Sequence, residues 1–212
     1  MININETKLR EEYARQVLLS VYPEKYLAAS IVDRPDIQNK IESIGVEVTG
    51  TMKQRLRYGL AQFSSLYGKP ISSITTKKKR QLDKHKVKVK ANEQGYIKFI
   101  IPAAVWGSGN DIKEAYKNKL IKLNSGKFSI FEENNLFLFA EFEEEKEVQE
   151  LINFVKETKV TKYKFEYIFL YTFNELYSIT TKNFTYDLLE ITEDQKKVFK
   201  EAAIKAANVN LI

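Results

Sequence analysis

The chain is 212 residues long, 43% hydrophobic and 12% aromatic, with a net charge of +6. That excludes a disordered polymer and suffices for one sizeable core. No apolar run approaches the ~18 residues of a membrane span, and the start, MININETKLREE, lacks a signal-peptide core.

Residues 7–21, TKLREEYARQVLLSV, have helical spacing: Leu9, Tyr13, Gln16, Val17 and Ser20 line one face, and Pro23 stops the helix. Glu12 falls at the edge of that stripe and is the inward-facing acid, whereas Glu11 points further away. A turn at Asp33-Arg34-Pro35-Asp36 precedes a strand from about Ile41 to Thr49. Residues 52–67 read as a second helix, with Leu56, Leu60, Phe63 and Tyr67 on one side and Lys53, Arg55 and Arg57 around its start. The stretch 76–90 reads as a basic loop leading into the alternating strand VKVK. YIKFII at 96–101 is another strand, and WGSGND a turn without the spacing of a phosphate-binding loop.

The spacing predicts a helix over 111–123 with Ile112, Ala115, Tyr116, Leu120 and Leu123 as its apolar stripe and Lys119 in the middle of it. FSIFEENNLFLFAEF reads as a hairpin around Glu132-Glu133-Asn134-Asn135. A helix at 145–158 buries Val148, Leu151, Ile152 and Val155. The acids Glu143, Glu144 and Glu145 at its start favour the helix dipole, and Glu141 reads as solvated. FEYIFLYT is a central strand, followed by a hairpin to Ile191 and a last helix opened by the capping box Thr192-Glu193-Asp194-Gln195. With no repeat and no flexible linker, residues 1–212 read as a single α/β domain.

Absent cysteine suits a reducing cytoplasm and removes thiolate metal sites. The one histidine, His85, sits in a lysine run and reads as a solvated loop residue. Any catalytic metal is left to oxygen ligands, which points to Mg2+ or Mn2+. Residues 51–90 hold twelve Lys or Arg against one acid, Asp83, a net of +11, so the rest of the chain carries −5. Such concentrated positive charge suits a polyanion, nucleic acid first.

The chemistry concentrates in DRPDIQNKIESIGVEVTG, residues 33–50. In IGVEVT, Val46 and Val48 go to one face and Glu47 and Thr49 to the other. Asp36 follows a turn-fixing proline and precedes a segment able to return beside Glu47. Two carboxylates brought together repel unless a cation lies between them. Such a pair is costly as structure and useful as a metal clamp.

A helix acid, then Pro35-Asp36, then Val46-Glu47-Val48-Thr49 after about ten residues, resembles the PD-(D/E)XK nuclease superfamily. DRPDI and IGVEVT are similar to a poorly characterised bacterial group within it, whose later helix carries a K-L-x-K pattern, here Lys119-Leu120-Ile121-Lys122. The resemblance covers residues 7–140 in order. It implies a restriction-endonuclease-like fold, a mixed central sheet flanked by helices, with Asp36, Glu47 and the Val48 carbonyl as metal ligands and Glu12 as the helix acid. It also implies Mg2+ or Mn2+ as cofactor and hydrolysis of phosphodiester bonds, in DNA as the expected substrate. Lys53, Arg55, Arg57, Lys77, Lys78, Lys79 and Arg80 would then meet nucleic acid, and a homodimer is compatible with the pattern.

The chain departs from that pattern at Thr49, where the family has lysine. A hydroxyl carries no positive charge, so Lys119 or Lys53 would have to substitute. Lys119 has the better rationale, although a snorkelling lysine also explains its place in an apolar stripe. The alternative is an inactive nuclease-like module that binds DNA or a protein without chemistry.

Overall fold

The computed structural model describes residues 6–101, 111–140, 145–159 and 162–209, with side chains omitted at 54, 55, 64, 208 and 209. The turn expected around Trp106 and the acids Glu141, Glu143 and Glu144 lie outside the described residues. The chain divides into two compact units, Met1–Thr51 with Ile112–Ile212, and Met52–Asp111. Nothing in the sequence marks these junctions, which is why it reads as one domain.

In chain order the elements begin with α1 (Glu6–Val21), after which Pro23 opens a further turn of helix, α2 (Pro23–Tyr26). Proline suits the first helical position because its missing N–H has no partner there. Next come β1 (Ser30–Ile31), β2 (Ile37–Asn39) and β3 (Ile44–Gly50). The second unit holds α3 (Gln54–Leu66), α4 (Thr76–Lys84), β4 (Lys88–Ala91) and β5 (Ile97–Ile101). The first unit resumes with α5 (Ile112–Leu123), β6 (Glu133–Phe139), α6 (Glu145–Glu157), β7 (Tyr167–Tyr171), β8 (Glu175–Thr180), β9 (Thr185–Glu190) and α7 (Glu193–Val209). The predicted cap of α7 is formed: Thr192 N–H donates to Gln195 Oε1 at 2.9 Å, and Gln195 N–H to Thr192 Oγ1 at 3.3 Å.

The first unit is α/β. Its seven strands run in the order β1-β2-β3-β6-β7-β8-β9, with β3, β6 and β7 parallel and the flanking pairs antiparallel. Period-two alternation sends Val46, Val48, Phe137 and Phe169 to one face, where they pack with Ala14, Val17, Leu18 and Phe199 of α1 and α7. Leu136, Leu138, Ile168 and Leu170 go to the other, under Tyr116 and Leu120 of α5 and Leu151 and Val155 of α6. Glu47 lies beside Leu136 in the β3–β6 register, so it points to the α5 side.

Two elements correct the sequence reading in this unit. The expected hairpin around Glu132–Asn135 is one strand, β6, because the two asparagines are buried where they serve the backbone instead of forming a turn. Asn134 accepts from Phe131 N–H and donates to Phe131 C=O, and Asn135 Oδ1 accepts from Tyr167 N–H at 3.0 Å. The strand expected from Ile41 begins at Ile44, and the residues before it supply β2, which pairs back on β3.

In the second unit the basic stretch is a helix where a loop was expected. Thr75 caps α4 by accepting from Lys78 N–H at 3.2 Å, and Lys, Arg and Gln are good helix formers. Leu82 anchors it in a small core with Leu66, Val87 and Ile97. His85 ends the helix and stacks on Tyr58, ring centroids 4.1 Å apart.

Candidate active site

The β2–β3 register builds the site. Ile37 pairs with Val46, so one step further along, Asp36 stands opposite Glu47. There β2 has ended, leaving the N–H of Val48 without a strand partner, and Asp36 Oδ2 accepts it at 2.7 Å. Gly45, two residues before Glu47 on the same face, permits the turn to lie close. A Cβ there would sit 2.7 Å from the Pro35 ring and 2.6 Å from Phe131.

Lys119 comes from α5, one turn past Tyr116 and one residue from Leu120, both buried, and their packing carries it over this face of β3. Its ammonium hydrogen-bonds Glu47 Oε1 and lies 3.4 Å from the Val48 carbonyl. The pair is sheltered, with side-chain exposures of 14% for Lys119 and 9% for Glu47. Lys119 thus stands on the face of β3 to which Thr49 also points. Among the described residues Glu47 Oε2 is buried with no hydrogen-bond partner.

Burial and neighbouring charge shift both carboxyls of the cluster. Burial pushes the carboxyl of Asp36 above its ordinary range, opposed by the Val48 N–H and by Lys119. Burial raises Glu47 as well; Lys119 lowers it and Asp36 raises it. The exposed Lys122, one turn beyond Lys119, lowers both.

The sequence reading turns Glu11 away, yet both helix acids line the cleft beside Asp36. Glu12 is buried as expected, but its carboxylate accepts from Arg15 Nε at 2.9 Å. Glu11 is the acid that feels the cluster: burial, then Asp36 and Glu47, raise its pKa to about 7. The buried side of α1 is Ala14, Val17 and Leu18. Glu11 lies three residues before Ala14 and seven before Leu18, a spacing that was legible in the sequence but lost to the stripe drawn through Leu9 and Tyr13. Glu11, Glu12, Asp33 and Asp36 line a cleft of about 550 Å³ together with Thr7 and Lys8.

Among the described residues no group of three or more His, Asp or Glu side chains is placed to hold a metal ion. Two carboxylates and one backbone carbonyl are what the site offers, with an orphaned buried oxygen on Glu47. That set fits Mg2+ or Mn2+, hard cations that keep several waters and take one or two protein carboxylates beside substrate phosphate.

The basic residues belong to the other unit. Lys53 is the residue before α3 and Arg57 is exposed on it, while the side chain of Arg55 lies outside those described. Lys77, Lys79 and Arg80 are exposed on α4, and Lys78 Nζ lies 5.8 Å from the Tyr58 ring centroid. Among the described residues no helix is long and apolar enough to cross a membrane. No protein-family model matches the chain, and no curated protein or solved structure matches it at a significant level.

Proposed function

We propose that the first unit is a PD-(D/E)XK-type nuclease that hydrolyses phosphodiester bonds in DNA with Mg2+ or Mn2+. The observation that carries this reading is the meeting of Asp36, Glu47 and Lys119, brought from a turn, a strand and a helix to the middle of β3. Asp36, Glu47 and the Val48 carbonyl would hold the cation. When bound, it lowers the pKa of an attacking water and offsets charge on the phosphate.

The chain's own residues do the rest. Lys119 supplies positive charge at the site; its ammonium now sits on Glu47 Oε1 and 3.4 Å from the Val48 carbonyl, so a cation taking those groups would turn it aside toward the phosphate. It orients the attacking water or takes up charge at the phosphate, the work Thr49 is unable to do. Glu11, with a pKa of about 7, holds or releases a proton at neutral pH and stands within the field of both ligands. The positive charge of the second unit supports nucleic acid as substrate, through phosphate contacts that weaken with salt.

The test is nicking of supercoiled plasmid with Mg2+, Mn2+ or EDTA. Nicking is expected with either metal, none in EDTA, and none with Asp36→Ala or Glu47→Ala. Cleavage that survives both substitutions would overturn the reading. DNA binding with no cleavage under any metal would favour the inactive binding module.

A further inference from the structure

The second unit carries a surface that the acid cluster does not explain. Of the five aromatic side chains that are largely exposed among the described residues, four belong to it: Phe63, Tyr67, Tyr96 and Phe99. Residues 52–111 also hold thirteen Lys or Arg against three acids, a net of +10. Exposed rings and positive charge in one small unit call for a common cause, since apolar rings left in water forgo the gain of burial.

Local structure puts these residues outside. On α3 the buried positions among the described residues are Gly59, Gln62 and Leu66, which turns Leu60, Phe63 and Tyr67 outward along one stripe. The same stripe runs back at helical spacing to exposed Arg57. In the hairpin, Lys88 pairs with Ile101, Val89 with Ile100 and Lys90 with Phe99, and then the register shifts so that Ala91 pairs with Ile97. Lys98 is the extra residue of that bulge. It lets Ile97 and Ile100 both face the small core and leaves Lys98 and Phe99 outside, Phe99 at 63% exposure. Lys88 and Lys90 are exposed across from Ile101 and Phe99.

Lys98, the chain neighbour of Phe99, reaches the rings of α3. The Phe63 and Tyr67 ring centroids are 5.1 Å apart, and Lys98 Nζ lies 5.3 Å from the centroid of Tyr67. A duplex presents phosphates outside and keeps its bases stacked within, so it would meet the lysines and leave the rings unused. Unpaired bases offer a flat π-face to each ring and a phosphate to each ammonium.

We propose that this face of the second unit binds single-stranded nucleic acid, with Phe99, Phe63 and Tyr67 stacking on bases and Lys88, Lys90 and Lys98 meeting phosphates. The proposal rests on the nuclease reading for its purpose, since it names single strands or unpaired segments as what is presented for cleavage. The binding itself is separable from the chemistry.

The full chain carrying Asp36→Ala, kept in EDTA, would be titrated by fluorescence anisotropy against a labelled oligothymidine of about 20 nucleotides and a duplex of equal length. The expected result is tighter binding of the single strand. Phe99→Ala should weaken the single strand by about 5- to 100-fold and leave the duplex unchanged, as expected for loss of one stacked base. Phe99→Trp should preserve single-strand affinity, which a merely disrupted hairpin would not. Preference for the duplex, or equal loss on both probes, would overturn the proposal. So would self-association of the chain that Phe99→Ala abolishes while neither probe binds. Single-strand binding by a protein that never cleaves would sink the nuclease reading and leave this one standing.

Discussion

Lys119 and Glu47 form a sheltered ion pair, and sheltered pairs are costly to break from one side. Lys119→Met leaves Glu47 buried without its cation and should destabilise the protein by roughly 3–5 kcal/mol, read as a fall in the urea midpoint. The double change Lys119→Met with Glu47→Gln should recover most of that loss while leaving the protein inactive. Glu11 makes a second prediction. Its pKa is raised from 4.5 to about 7, so its contribution to stability is fully present below pH 4.5 and is lost as pH rises through 7. Glu11→Gln should therefore flatten the fall in Tm between pH 5 and 8, and an unchanged profile would show that burial and the neighbouring acids do not raise Glu11.

Among the elements, the β2–β3 hairpin depends on one small residue. Gly45→Ala would drive a methyl into the Pro35 ring and the Phe131 ring, so the turn bearing Asp36 must shift. It should cost about 1–3 kcal/mol, as overpacking does, and weaken cation binding. Much of this architecture was legible. Pro35-Asp36 and the alternation of IGVEVT place the two acids, and the apolar stripe of 111–123 places Lys119 on the inner side of its helix. What misled were polar residues doing buried work: Asn134 and Asn135 look like a turn but cap backbone groups inside the sheet. The lysine run from Lys77 to Lys79 looks like a loop, yet Thr75 and Leu82 suffice to cap and anchor a helix.

At the scale of the whole molecule, charge is divided between the two units. The acid cluster lies in Met1–Thr51 with Ile112–Ile212, and the net positive charge lies in Met52–Asp111. This division was only half visible in the sequence, where the charge asymmetry is plain but the second unit's separate core of Leu66, Leu82, Val87 and Ile97 is too small to announce itself. A cation that binds the folded protein alone should stabilise it by mass action, by about 1.4 kcal/mol at a tenfold excess over Kd, or ~3–6 °C in Tm.

Calorimetric titration of Mn2+ into the metal-free full chain tests the cation clamp without relying on a substrate. One binding event that disappears in both Asp36→Asn and Glu47→Gln is the predicted result. Binding of equal strength in those variants, or none in the wild type, would contradict the account.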